Sequence, residues 1–374
     1  VRARENDDIG CDADSVAARS ARHMELINRT PVVAQIRVST LEGTSHRYGM
    51  LTAKATFMVG EDQGARLDTQ DPVPLFDADE STEFGAFPSD AVPRRDRALE
   101  VIVLGAAYGN GRSWQQVELA VGDHRRSVNV TGDRHWIGSG RGARISEAAR
   151  FDAIPLTWER AHGGSVECRI DEHSIIDLEH PMNRYGRGLD AARLAKDVGA
   201  AFKAPAGFPC LAPDYRRALP NIEHPQHLIV DWNDDPRPYC WATVPMDIGV
   251  HLQRAHDHFK ARGEGLSQQE MLEQVYHRAH PDWILPIPSA DAPVLLRGMT
   301  PGAPWSFRLP RLRVLADYEF GPRTGTRELE PHLLMLLPEQ SRFYLVYRYF
   351  FTMPDVTPTT QRSFRLRLEK GWIE

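Results

Sequence analysis

No run of about 18 apolar residues occurs in this chain, which excludes a membrane-spanning helix on hydropathy. Cysteine is scarce: Cys11, Cys168, Cys210 and Cys240 are the only four in 374 residues, and they form no C-x-x-C pair. That spacing argues against a disulfide framework or a cysteine zinc site and reads as reduced thiols in a cytoplasmic protein. No Lys/Arg-rich run stands out and the formal net charge is −6, so the phosphate-neutralising surface of a nucleic-acid binder is not signalled. A G-x-S-x-G elbow is lacking, and no cysteine stands in a recognisable nucleophile context. No motif calls for a cofactor. The opening VRARENDDIGCDADSVAARSARH has acidic residues where a signal peptide needs an apolar stretch. Residues 1–23 read as a polar, mobile leader. Val1 in place of Met points either to a non-standard start or to a missing upstream piece, and Met24 is a natural start for the folded part.

What is present is enough to build a large core. Hydrophobic residues make up 41% and charged residues 26%, within the range of ordinary globular domains. Apolar residues alternate at Val32, Ala34, Ile36 and Val38, and again at Leu51, Ala53, Ala55, Phe57 and Val59, with Thr52, Lys54 and Thr56 on the opposite face. A period of two predicts strands with one face on the core. Residues 60–98, rich in Asp, Glu, Pro and Gly, read as long irregular loops. LEVIVLGAAY (99–108) reads as a strand buried on both faces. It opens a β-meander that continues through Val117–Val121 and SVNVTG. The C-terminal part returns to β: WSFRLP alternates, HLLMLL and FYLVYRYFF form a hairpin around PEQSR, and Phe364, Leu366 and Leu368 mark a last strand. Helices are expected over LDAARLAKDVGAAF behind Asp190, over about 248–261 behind Asp247, and after the S-x-x-E box Ser267–Glu270. The expected fold is mainly β: sandwich- or barrel-like antiparallel sheets with long Pro/Gly-rich loops and two or three helices inserted at about 190–280. No linker divides residues 24–374, which read as one unit.

Three stretches carry groups that could do chemistry. In HLQRAHDHF, His251, His256 and His258 fit no chelating spacing on a helix: the first two lie about 140° apart, the second and third about 200°. His251 and His258 share a face but lie about 10 Å apart along the axis. An exposed amphipathic helix explains them better than a metal site, and no metal is expected. GDRHWIGSGRG lacks the helix that a phosphate loop needs and reads as a Gly-rich turn. In IPLTWERAHGG, Glu159 has the type of a general acid and His162 that of a general base. Asp133 or Glu223 would complete a carboxylate pair, at about 5 to 10 Å, in a carbohydrate-active β-sandwich hydrolase. Leu156, Trp158 and Arg160 alternate with Thr157 and Glu159, as a strand would. An ordered cluster of Glu, Arg and Trp is the more frequent outcome for such a stretch, so no catalytic residue is assigned.

Eight motifs appear in order: NRTP (28–31), KATF (54–57), LGAAYG (104–109), VTGDRHW (130–136), IPLTWERAHGG (154–164), NRYGRG (183–188), LPNIEHP (219–225) and WSFRLP (305–310). Together they resemble a bacterial family long catalogued as a domain of unknown function. Its members are encoded among type VI secretion genes and act as effector adaptors or chaperones. Departures are His162 where an aromatic is usual, a loose match over DDPRPYCWATVPM, and a poor one over 246–286. The resemblance implies a non-enzymatic cytoplasmic protein. Its partners would be a toxic effector and the secretion spike, which is a trimeric tip protein and its PAAR-type cap. Glu159, Arg160, His162, Asp133 and Arg134 would then be a scaffold cluster. A chaperone must cover apolar cargo surface, so an exposed apolar patch beyond about 300 to 600 Å² is expected. Trp136, Trp158, Trp241 and Trp283 are the candidate anchors, with core packing as the competing fate of each. The alternatives are the hydrolase above and a structural component of the secretion apparatus.

Overall fold

The computed structural model describes residues 24–40, 47–92, 97–212, 215–245, 277–353 and 362–369. The leader 1–23, the helices expected from 248 and from 267, and the histidines 251, 256 and 258 lie outside the described residues.

The expected strands form, and they gather into three main sheets. The largest has seven strands. Arg47–Val59 and Arg342–Thr352 pair antiparallel at its centre, flanked by Val33–Thr40 on one side and Glu330–Leu337 on the other. Ala98–Val103 then joins Glu330–Leu337 in parallel, and Ile284–Pro286 closes that edge. Ala65–Leu67 pairs onto the end of Arg47–Val59. A second sheet runs in the order Ile222–Glu223, His124–Thr131, Trp114–Val121, Pro293–Arg297, Trp305–Arg308. The third places Met24–Asn28 parallel to Arg362–Leu368, followed by Val314–Phe320 and Arg323–Glu328. One contiguous core joins all three sheets, including Leu51, Val101, Leu119 and Phe364. Phe307 of the second sheet stacks on Phe343 of the first at 4.4 Å between ring centroids. The protein is mainly β and sandwich-like, without a closed barrel among the described residues.

Three local differences from the sequence reading have physical causes. Thr52, Lys54 and Thr56 are as buried as the apolar face of their strand. The segment from Asp68 to Asp90 folds over them: Thr56 Oγ1 accepts from the Val73 amide at 2.9 Å, and Lys54 Nζ donates to Pro74 O at 2.8 Å. The stretch 99–108 is two strands, not one. Its second half, Ala106–Arg112, leaves the large sheet to pair with Phe151–Pro155, so the meander reduces to a hairpin of Trp114–Val121 and His124–Thr131. The strand Phe151–Pro155 stops at its proline, and Trp158–Arg160 is a single 3₁₀ turn. The alternation expected there is therefore absent.

Of the expected helices, Ala191–Ala201 lies within the described residues. Asp190 caps it by accepting from the Ala192 amide at 3.1 Å. Its apolar side covers a small satellite core around Cys168 and Leu178. No helix among the described residues is long and apolar enough to cross a membrane.

Candidate functional site

Four of the motifs, spread over some ninety residues of sequence, meet at one place. The turn Trp158–Arg160 leads into His162–Gly163, which pairs parallel with Arg187–Gly188 of NRYGRG. Ala161 bridges to Ile222 of LPNIEHP. His135 of VTGDRHW bridges to Ala218, next to that last motif.

Side-chain amides fasten these crossings. The buried Asn183 Nδ2 donates to Trp158 O at 2.8 Å and to His162 O at 2.9 Å. The buried Asn221 Nδ2 donates to Thr131 O at 2.9 Å and to Asp133 Oδ1 at 3.0 Å. Short irregular strands leave carbonyls without ladder partners, and a buried carbonyl without a partner is costly. The two asparagines supply the missing donors. The Gly163–Gly164 pair makes the approach possible. Gly163 has φ +138°, and a Cβ there would lie 2.2 Å from Asn183 O. Only glycine fits that position.

The charged members of the signature lie on this scaffold. Arg160 Nη1 donates to Asp133 Oδ1 at 3.3 Å and to Asn221 Oδ1 at 3.1 Å. Arg187 reaches Asp133 at 3.6 Å and donates through Nε to Glu159 O at 3.1 Å. Arg134 pairs with Glu223, which is 4% exposed and also accepts from the Ile229 amide at 2.8 Å. Burial pushes the Glu223 carboxyl above its ordinary pKa, against the opposing charge of Arg134. Arg160 and Arg187 thus gather on Asp133, Arg134 pairs separately with Glu223, and the His162 side chain turns instead to Asp235. The Glu159 carboxylate makes none of these hydrogen bonds and acts on Arg187 only through its charge.

Glu159 is exposed and lines a cleft of about 730 Å³. The facing wall is the hairpin Glu80–Thr82 and Gly85–Phe87 with Asp79 and Glu83, and Thr243, Pro245 and Arg278 complete the rim. Arg278 holds Asp79 by a two-pronged pair, one arm at 2.9 Å. Burial pushes the Asp79 carboxyl up, but hydrogen bonds and charge from Arg278 outweigh it and hold it below the usual range. The carboxylates expected as mates for Glu159 are placed differently: Asp133 and Glu223 both face arginines, and neither lines this cleft.

The four tryptophans proposed as anchors are in the interior. Trp136, Trp158, Trp241 and Trp283 are each 4% exposed or less. Trp158 Nε1 donates to Ala242 O at 3.2 Å, Trp241 meets Trp283 edge-on at 5.8 Å, and Trp136 meets Trp232 edge-on at 5.3 Å. Trp158, Trp241 and Trp283 belong to the main core and Trp136 to a smaller apolar cluster with Leu219 and Ile229, so they are not surface anchors in this chain. Large apolar side chains that are exposed include Trp114, Ile175, Phe202 and Val230.

One cluster had no counterpart in the sequence reading. His162, His180 and Asp235 bring one nitrogen or oxygen donor each within 4.8 Å of one another. His162 Nε2 and Asp235 Oδ1 are 2.9 Å apart, and the two imidazoles meet edge-on at 5.3 Å. Burial, with the neighbouring His162 second, lowers the His180 pKa to about 4. Spacings of 18 and 55 residues leave no local sequence signal for such a group.

The fold and site define a mainly-β, sandwich-like protein whose sequence motifs build a buried junction beside an open cleft. A bacterial family described as an uncharacterized protein conserved in bacteria (DUF2169) matches residues 44–348, and the chain belongs to that family. No curated protein and no solved structure matches the chain.

Proposed function

We propose that this protein is a non-enzymatic adaptor that binds a type VI secretion effector in the cytoplasm and helps load it onto the secretion spike. The observation that supports this reading most is where the motif side chains spend their polar groups. Asn183, Asn221, Arg160, Asp133, Arg134 and Glu223 hydrogen-bond or pair with one another and with the backbone. A catalytic set needs such groups aimed at a substrate, whereas a scaffold uses them to hold loops. The test is affinity purification of the tagged protein from its host, together with deletion of its gene. Recovery of an effector or a spike protein, with effector levels falling in the deletion strain, is the expected result. Recovery of neither, with effector levels unchanged, overturns the proposal. Loss of secretion of every effector on deletion would instead make the protein a structural part of the machine.

A hydrolase is the second reading, and one observation favours it. Glu159 is exposed in a cleft that Asp79 and Glu83 also line. The commitment of Asp79 to Arg278 weighs against a free carboxylate pair. Glu159→Gln abolishing glycan hydrolysis by the purified protein would establish this reading in place of the adaptor.

A further inference from the structure

We propose that His162, His180 and Asp235 form a zinc(II) site that pins the 230–245 segment to the motif junction. The three residues come from separate parts of the chain. His162 sits in the short parallel pair, His180 follows the strand Ile175–Glu179, and Asp235 lies in a segment without regular strands. Nothing in the backbone ladder joins Asp235 to the other two, yet their donor atoms lie within 4.8 Å of one another. Zinc bonds of about 2.0–2.2 Å place tetrahedral ligand atoms roughly 3.4 Å apart, so small side-chain rotations complete the site. The His162–Asp235 separation of 2.9 Å is a direct hydrogen bond, which opens by about 0.5 Å to admit the ion.

The tautomer of His162 decides what can stand between its ring and Asp235. This histidine is 2% exposed, and its Nδ1 has no partner. With the ring proton on Nε2, the imidazole donates to Asp235 and leaves a buried lone pair on Nδ1. With the proton on Nδ1, Nε2 and the carboxylate face each other as two acceptors, an arrangement that a cation between them satisfies. Zinc then takes the place of the shared proton at Nε2; Nδ1 keeps the single proton and is unpartnered with or without the ion, so the gain lies at Nε2 alone.

The cost falls on His180. Its Nδ1 accepts from the Met182 amide at 3.1 Å, and coordination through either nitrogen gives up that bond. One neutral hydrogen bond is small beside three coordinate bonds. Arg216, close enough to lower the Asp235 pKa, opposes a cation, but its own guanidinium pairs with Asp190 at 2.9 Å and donates to Trp232 O and Asp234 O. Two imidazoles and one carboxylate suit zinc rather than calcium or magnesium, which take oxygen donors. Three protein ligands leave a fourth position for water, and the 55% exposed Asp235 side chain provides the entry path.

The site stands on this geometry alone and is independent of the adaptor reading. The test uses the full chain, stripped with chelator and re-equilibrated with zinc chloride, with metal content measured after gel filtration and affinity by competition with a chromophoric chelator. One zinc per chain is expected, with the melting temperature raised by zinc. Asp235→Ala, at an exposed position, and His180→Gln should each weaken binding by at least about 100-fold. His224→Ala, at a half-buried histidine that packs edge-on against Tyr239 and contributes no ligand, should leave binding unchanged. Failure of the wild-type chain to take up zinc overturns the site. So does equal uptake by Asp235→Ala, or loss of uptake in His224→Ala alone.

Discussion

Lys54 shows how far one residue can depart from the pattern that contains it. Alternation puts it on the polar face of its strand, yet its ammonium is fully enclosed. It donates to Asp90 at 2.6 Å and lies over the rings of Phe76 and Tyr344 at 4.4 and 4.6 Å. Burial lowers its pKa to about 8, against the opposing charge and hydrogen bond of Asp90. Between pH 8 and about 10.5 the unfolded chain holds a proton that the folded chain has released, so folding stability from this group rises with pH across that window. The expected outcome is that the stability of the wild-type protein relative to Lys54→Met grows from pH 8 to pH 10, by on the order of 2 to 3 kcal/mol in urea unfolding. A flat difference would mean that Lys54 keeps its proton as a solvated lysine does. At pH 7 the same substitution leaves the buried Asp90 with the Phe76 amide, at 2.8 Å, and the Arg348 guanidinium, at 3.9 Å, and should destabilise by about 3 kcal/mol. Sequence periodicity reports which residues can share a face; it does not report that a distant loop will cover the other one. The zinc cluster was illegible for the same reason, since His162, His180 and Asp235 become neighbours only through tertiary packing.

At the level of elements, most of what the sequence predicts is recovered. Strands with long apolar alternation, such as Arg47–Val59 and Arg342–Thr352, and the helix behind Asp190 stand where the pattern puts them. The difficult parts are the short ones. Trp158–Arg160 and His162–Gly163 are too brief to show a period, and their conformation is set by Asn183 and Asn221 rather than by local propensity. The Gly-Gly pair is the part of this junction that a sequence reader can see. Gly163→Ala should destabilise the protein by about 2 kcal/mol or more, because it adds strain at φ +138° and a clash with Asn183 O. Gly302→Ala, at a position with open space around it and no positive φ, should stay within about 0.5 kcal/mol. Comparable urea midpoints for the two variants would show that the junction relaxes freely.

For the whole molecule, the order in which the large sheet is assembled differs from the order in which its strands are synthesised. Arg342–Thr352 and Glu330–Leu337 lie between Arg47–Val59 and Ala98–Val103, so the centre of the sheet is made last. Until those strands leave the ribosome, the two earlier ones present bare hydrogen-bonding edges and apolar faces, the features that recruit wrong partners. Contacts between residues nearly three hundred positions apart also make closure slow. A chain stopped after Leu329 should therefore be insoluble rather than a smaller folded domain, as sedimentation of the expressed fragment would show. Supplying residues 330–352 in trans should rescue part of it if the gap is already formed. A protein proposed to shelter another chain thus passes through a stage, while it is being made, in which its own open sheet needs shelter.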